Sequence, residues 1–158
     1  MSHIAKMTFL VLVLLFTAAC TPPDAPLCPV TAPNGSTPPN EQASDLYYGN
    51  GKIWTVLWPE GTVLFEEGGP GQMRSDGSLA MKFPWWRGDG VAGALQIEGK
   101  RLDGDAPPLQ AEIPEGYGAT GFQASLLTFS SEGCWQVTGR VGEAELTFIT
   151  RVVNENGD

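Results

Sequence analysis

The chain has 158 residues, enough for one domain, and a formal net charge of -9 from 18 acidic against 9 basic side chains. That balance disfavours a nucleic-acid partner, which needs a basic patch, and argues against lying flat on anionic lipid. Twenty glycines and 13 prolines fit a turn-rich, all-β chain better than a helical one.

Taken in order, residues 1–19 read as a targeting segment: Lys6 supplies charge, and TFLVLVLLF (residues 8–16) is an apolar core too short to span a bilayer comfortably. Thr17-Ala18-Ala19-Cys20 follows. This resembles the lipobox of bacterial lipoproteins, with Thr17 where leucine is usual. The resemblance implies acylation of Cys20, cleavage before it, and an extracytoplasmic protein held by lipid in the cell membrane or outer membrane. Acyl chains contribute about 0.8 kcal/mol per buried CH2, so two or three give stable anchoring. Thr21 rather than Asp follows the cysteine, which by the same resemblance leaves the outer membrane open. The alternative is an ordinary secretory signal.

Residues 20–45 form a Pro-, Ser-, Thr- and Asn-rich tether. It contains Cys28. With Cys20 lipidated in an oxidising compartment, Cys28 and Cys134 remain as a pair, and a Cys28–Cys134 disulfide is expected; two separate thiols, or a bridge between molecules, are the alternatives. A bridge would leave only residues 21–27 as free leash, roughly 20 Å at about 3.1 Å per residue.

The domain is expected over residues 46–153. Residues 52–58 read as a strand, with Ile53 and Leu57 on one face and Trp54, Val56 and Trp58 on the other. Pro59-Glu60-Gly61 is a turn leading to a return strand at 62–66, and residues 67–77 form a loop. Residues 78–86 are a strand in which Pro84 suggests an edge, a bulge or an end. Adjacent Trp85 and Trp86 must point to opposite faces, so one belongs to a core and the other is exposed or covered by a loop. Residues 93–101 place Leu95 and Ile97 inward; 109–113 place Leu109, Ala111 and Ile113 inward. A strand over 122–129 is apolar on both faces near its end. In 134–141, Trp135, Val137 and Val141 share a face with Gly139. In 146–152 the inward set is Leu146, Phe148 and Val152, and Gly142-Glu143 suits a tight hairpin between the two. Residues 154–158 are expected to be a disordered tail.

This closing strand, turn, Gly-Cys-Trp strand and hairpin resembles the last three strands of an immunoglobulin-like sandwich, over about 35 residues; Glu132 replaces the tyrosine expected two positions before Cys134. The fold implied is a single immunoglobulin-like β-sandwich of about seven to nine strands, with a jelly roll or small barrel as alternatives. As a whole the chain resembles bacterial lipoproteins of this build, a resemblance that supplies no activity.

Chemistry is restricted. His3, the one histidine, lies in the targeting segment, so Ser-His-Asp and Cys-His catalysis and the usual zinc sites are not available to the domain. A calcium site at Asp103-Gly104-Asp105 lacks full loop spacing and reads as a turn. No metal, cofactor or enzymatic activity is expected. The expected role is a non-enzymatic binding or structural module of the envelope, whose partner is an envelope protein or a glycan besides the membrane. Two other classes stand beside it: a carbohydrate-binding module stacking sugars on Trp85, Trp86 and Arg87, with Trp54, Trp58 and Tyr117 nearby, and a hydrolase using Asp103, Asp105, Glu112 or Glu115. The competing reading of the tryptophans is that they fill the sandwich core.

Overall fold

The computed structural model describes residues 27–155; the expected targeting segment, Cys20, most of the leash and residues 156–158 lie outside them. Among the described residues the regular structure is strand, apart from one 3₁₀ turn at Pro59–Gly61. The first sheet runs in the order β1 (Tyr47–Gly49), β2 (Ile53–Val56), β5 (Leu79–Arg87), β8 (Gly121–Phe129), β7 (Gln110–Glu112), with β4 (Gln72–Met73) also pairing β5. The second runs β3 (Thr62–Phe65), β10 (Ala144–Asn154), β9 (Gly133–Val141), β6 (Leu95–Arg101). The two sheets form a sandwich.

Side-chain alternation builds the core as the sequence predicts. Trp135, Val137 and Val141 of β9 and Leu146, Phe148 and Val152 of β10 are buried in one cluster with Phe83, Trp85, Leu127 and Phe129 of the first sheet. Gly139 faces the Trp85 indole across the sandwich: a Cβ there would lie 2.5 Å from the ring. The residue is small because the largest side chain opposite needs its space. Gly142 (φ 57°) and Glu143 join β9 to β10, with Ala144 paired directly to Val141, so the hairpin loop has the two residues expected.

Pro84 sits within a strand that has neighbours on both sides, and the register explains how. β4 pairs residues 79–80 of β5 and β2 pairs residues 85–87, so on that side the strand has a gap where Pro84 falls. Its carbonyl there accepts from the Thr55 hydroxyl at 2.8 Å. The missing N–H costs no ladder bond.

The strand at 62–66 differs from expectation. β3 does not return alongside β2; it crosses to the second sheet and runs parallel to β10, Thr62 opposite Arg151 through Phe65 opposite Asn154. Glu60 (φ 56°) and Gly61 (φ 65°) are both left-handed, which turns the chain out of one sheet and into the other. The Gly61 carbonyl then accepts from the buried Thr150 hydroxyl at 2.8 Å. Two more differences are small. β1 and β4 are short strands beyond those expected, and β10 runs through Asn154, with the Glu155 N–H donating to Phe65 O at 2.9 Å.

Residues 28–45 are irregular, as a Pro-rich segment should be, yet they are fastened to the domain. Thr31 exchanges two hydrogen bonds with Ile149, both 2.8 Å. The Asn34 side chain accepts from Gly49 N–H at 3.1 Å and donates to Gly49 O at 2.7 Å. Further along, Ser36 accepts from Trp54 Nε1 and Glu41 from Trp86 Nε1. This strap covers the outer face of the first sheet, where Tyr47, Trp54 and Trp86 form a second, smaller apolar cluster.

Candidate functional site

The sandwich has two poles, and the expected site residues divide between them. At one pole Cys28 and Cys134 are joined as a disulfide across 106 residues, Cα–Cα 5.4 Å. Cys134 is the second residue of β9, close to the ends of β6 and β10, and Leu27, where the described chain begins, is 94% exposed. Asp103 belongs to this pole. Partial burial alone would raise its pKa, but the 2.7 Å bond from Arg101, the Cys134 N–H and the charge of Arg101 together bring it below the ordinary carboxylate value. Glu112 and Glu115, also proposed from sequence, do not converge on it: Glu112 pairs with Arg74 at 3.4 Å, and Glu115 lines the opposite pole. Among the described residues no cluster of three or more His, Cys, Asp or Glu could hold a metal ion.

The opposite pole collects the end of β5 and the starts of β8 and β6. Both adjacent tryptophans are buried there. Trp85 is fully enclosed in the core, donating to Ser125 Oγ at 3.1 Å. Trp86, on the outer face, is 7% exposed; Tyr47 packs against it at 5.3 Å between ring centroids and Phe122 at 5.5 Å. Neither offers a free ring face for a sugar, because one is sealed by the second sheet and the other by the strap. Burial, then the charge of Glu41, pushes the Tyr47 hydroxyl pKa up.

Arg87 is also buried, 5% exposed, and strand alternation gives the reason: it is two residues from Trp85 and so shares its inward face. Its guanidinium donates to Gly93 O and Gly118 O, tying the loop before β6 to the loop before β8. Arg74, Arg101 and Arg140 each have a carboxylate partner; Arg87 makes no ion pair among the described residues, and its Nε–H has no acceptor. Gln123, 7% exposed on the neighbouring strand, likewise has an Oε1 without a donor. Both line an open depression, a shallow cavity of ≈ 370 Å³, whose walls include Leu95, Ile113, Pro114, Glu115 and Tyr117. Tyr117 is 37% and Phe122 46% exposed, and their rings meet edge to face at 5.9 Å, so the aromatic surface at this pole is theirs rather than that of the tryptophans.

Sequence reasoning named Arg87 and Tyr117 but passed over Phe122 and Gln123. The signal was present: Gln123, Ser125, Leu127 and Phe129 fall on one strand face, so a polar pair at the start of an inward stripe marks the sandwich's mouth. A second trough, ≈ 380 Å³, lies on the outer face of the second sheet, but Arg140 at its centre is already held by Glu98 at 2.5 Å and Glu145 at 2.7 Å. Those two bonds, Glu98 first, raise the Arg140 pKa. No known protein family, curated protein or solved structure matches the chain.

Proposed function

We propose that this protein is a lipid-anchored, extracytoplasmic binding module of the cell envelope, non-enzymatic and built on an immunoglobulin-type sandwich. The sheet orders support the fold reading. β2-β5-β8-β7 corresponds to strands A-B-E-D, and β10-β9-β6 to G-F-C, with β3 as a first-strand extension that switches sheets. The loops at the Arg87 pole are then the B–C, D–E and F–G connections, the end such sandwiches use for recognition.

The observation that carries the function is the separation of the poles. The strap leaves the domain at the disulfide, at the start of β9, whereas the Arg87 cavity lies beside Leu95, paired to Val141 at the other end of that strand. Seven steps of about 3.3 Å put roughly 23 Å between them. An anchor at Cys20 therefore turns the cavity and its exposed aromatics away from the lipid. A lasting disulfide also fits an oxidising compartment. A second reading, glycan binding, draws on Tyr117 and Phe122, exposed rings beside a cation.

Two measurements test the anchoring. Cys20→Ser is expected to move the protein from the membrane fraction to the soluble one. In the anchored protein, a fluorophore placed at Glu143→Cys should be quenched by bilayer-embedded acceptors far less than one at Asp105→Cys. Equal quenching, or the reverse order, would overturn the orientation.

A further inference from the structure

We propose that the Arg87 cavity binds the carboxylate of a small ligand, with Gln123 accepting a hydrogen bond from a hydroxyl or N–H next to that acid. The inference rests on the binding-module reading and names its chemistry. Arginine stays protonated at any relevant pH, so the domain keeps a full positive charge 95% out of water at the mouth of its core. Its hydrogen bonds inside the protein go to two backbone carbonyls, which carry only partial charge, and the rim carboxylate of Glu115 makes no ion pair with it. Buried charges are normally paired, because an isolated one loses its hydration without compensation. The other arginines with buried surface obey this rule through Asp103, or through Glu98 and Glu145. Arg87 does not, although the chain carries twice as many acidic as basic residues from which a partner could have been drawn.

The second unpartnered group sharpens the ligand. Trp85 pairs with Gln123 and Arg87 with Gly121, so Gln123 is the diagonal neighbour of Arg87 on the same inward face. Gly121 contributes no side chain, which keeps the space beside the guanidinium free. One neighbour lacks an acceptor and the other lacks a donor. A planar carboxylate satisfies the first, bidentately where the fork allows. A hydroxyl or amide N–H one or two atoms away satisfies the second. Leu95, Ile113, Pro114 and Tyr117 supply apolar wall for the rest of a small molecule, and a volume of ≈ 370 Å³ is within the range of small-ligand sites. Glu115 on the rim disfavours a dianionic phosphate, which a single cation would leave half-neutralised. Two ligand sources share this chemistry, sugar acids and N-acylated amino acids.

The experiment is calorimetric titration of the full-length chain in detergent with glucuronate and with N-acetylalanine, each against its uncharged match, glucose and N-acetylalanine amide. At least one acid is expected to bind with a dissociation constant on the order of 1–10 mM, and its match at least about tenfold more weakly. Which acid binds decides between the sources. Gln123→Glu sets a carboxylate of nearly the same shape beside Arg87; it is expected to keep or raise the melting temperature while weakening the acid at least about tenfold. The proposal is overturned if neither acid binds by about 50 mM, if the neutral matches bind equally, or if a folded Gln123→Glu protein binds as the wild type does. Membrane fractionation does not enter these titrations, so failure of the anchoring leaves them readable, and the reverse holds too.

Discussion

Replacing both bridged cysteines, Cys28→Ser with Cys134→Ser, tests how much of the domain's stability comes from pinning the strap. The bridge closes a loop of 106 residues. In the chain-entropy treatment, a loop of that length removes about 4.8 kcal/mol of freedom from the unfolded chain at 25 °C. Domains of this size are typically stable by about 5–15 kcal/mol in all, so the loss is large but falls below that range. At about 3–4 °C per kcal/mol, a domain of this size should melt roughly 14–20 °C lower. Removing both sulfurs leaves no lone thiol among the described residues, and the strap keeps its two Thr31–Ile149 bonds and its Asn34–Gly49 pair, so the native fold is expected to persist. The leash should lengthen only to Val30. Differential scanning calorimetry of the two proteins reads the shift. Urea unfolding should show a steeper m-value in the variant, since its unfolded chain is no longer cross-linked and exposes more surface. A melting shift under about 5 °C with an unchanged m-value would refute the entropic reasoning and put the worth of the bridge in local contacts at Cys134 instead.

The remaining predictions follow from single contacts. Trp85→Ala should destabilise by about 3–5 kcal/mol, measured by denaturant unfolding, because the ring is wholly enclosed, whereas Phe122→Ala at an exposed position should stay within about 1 kcal/mol. Gly139→Ala should cost about 1–3 kcal/mol by pressing a methyl into the Trp85 ring, and pairing it with the smaller Trp85→Phe should recover part of that loss in a double-mutant cycle. Glu60→Asn should stabilise by about 0.5–1 kcal/mol, since asparagine tolerates the left-handed conformation that Glu60 adopts; a lower melting temperature would mean the glutamate side chain has a role there. Asp103 has a folded pKa below its unfolded one, so folding favours the ionised form: its contribution is complete above about pH 4 and is lost as pH falls through the folded value. Asp103→Asn should therefore be less stable than wild type at pH 7, by about 1 kcal/mol, with the gap narrowing as pH falls below about 4; a gap constant with pH would show that the carboxylate's charge is not what matters.

The alternation of β9 and β10, their two-residue hairpin and the pairing of Cys28 with Cys134 were all legible in the sequence. Each depends on a local rule: a strand's period of two, a glycine that opens a turn, and the small number of cysteines to be shared. The burial of Arg87 follows from its distance of two from Trp85, but only once the structure shows which of the two tryptophans faces the core. What local rules do not contain is which sheet a strand joins. Residues 62–65 would be equally content beside β2 or beside β10, and two consecutive left-handed residues sent them to β10. Nor do they contain what lies over an outward face. Of the two adjacent tryptophans it is Trp86 that alternates outward, and a strap more than forty residues earlier in the chain covers it. The Arg87 cavity is the clearest case. Arginine, glutamine and tyrosine come from the ends of separate strands and the loops beside them, and only the stacking of two sheets puts an unpaired charge, an unpaired carbonyl oxygen and an apolar wall around one space.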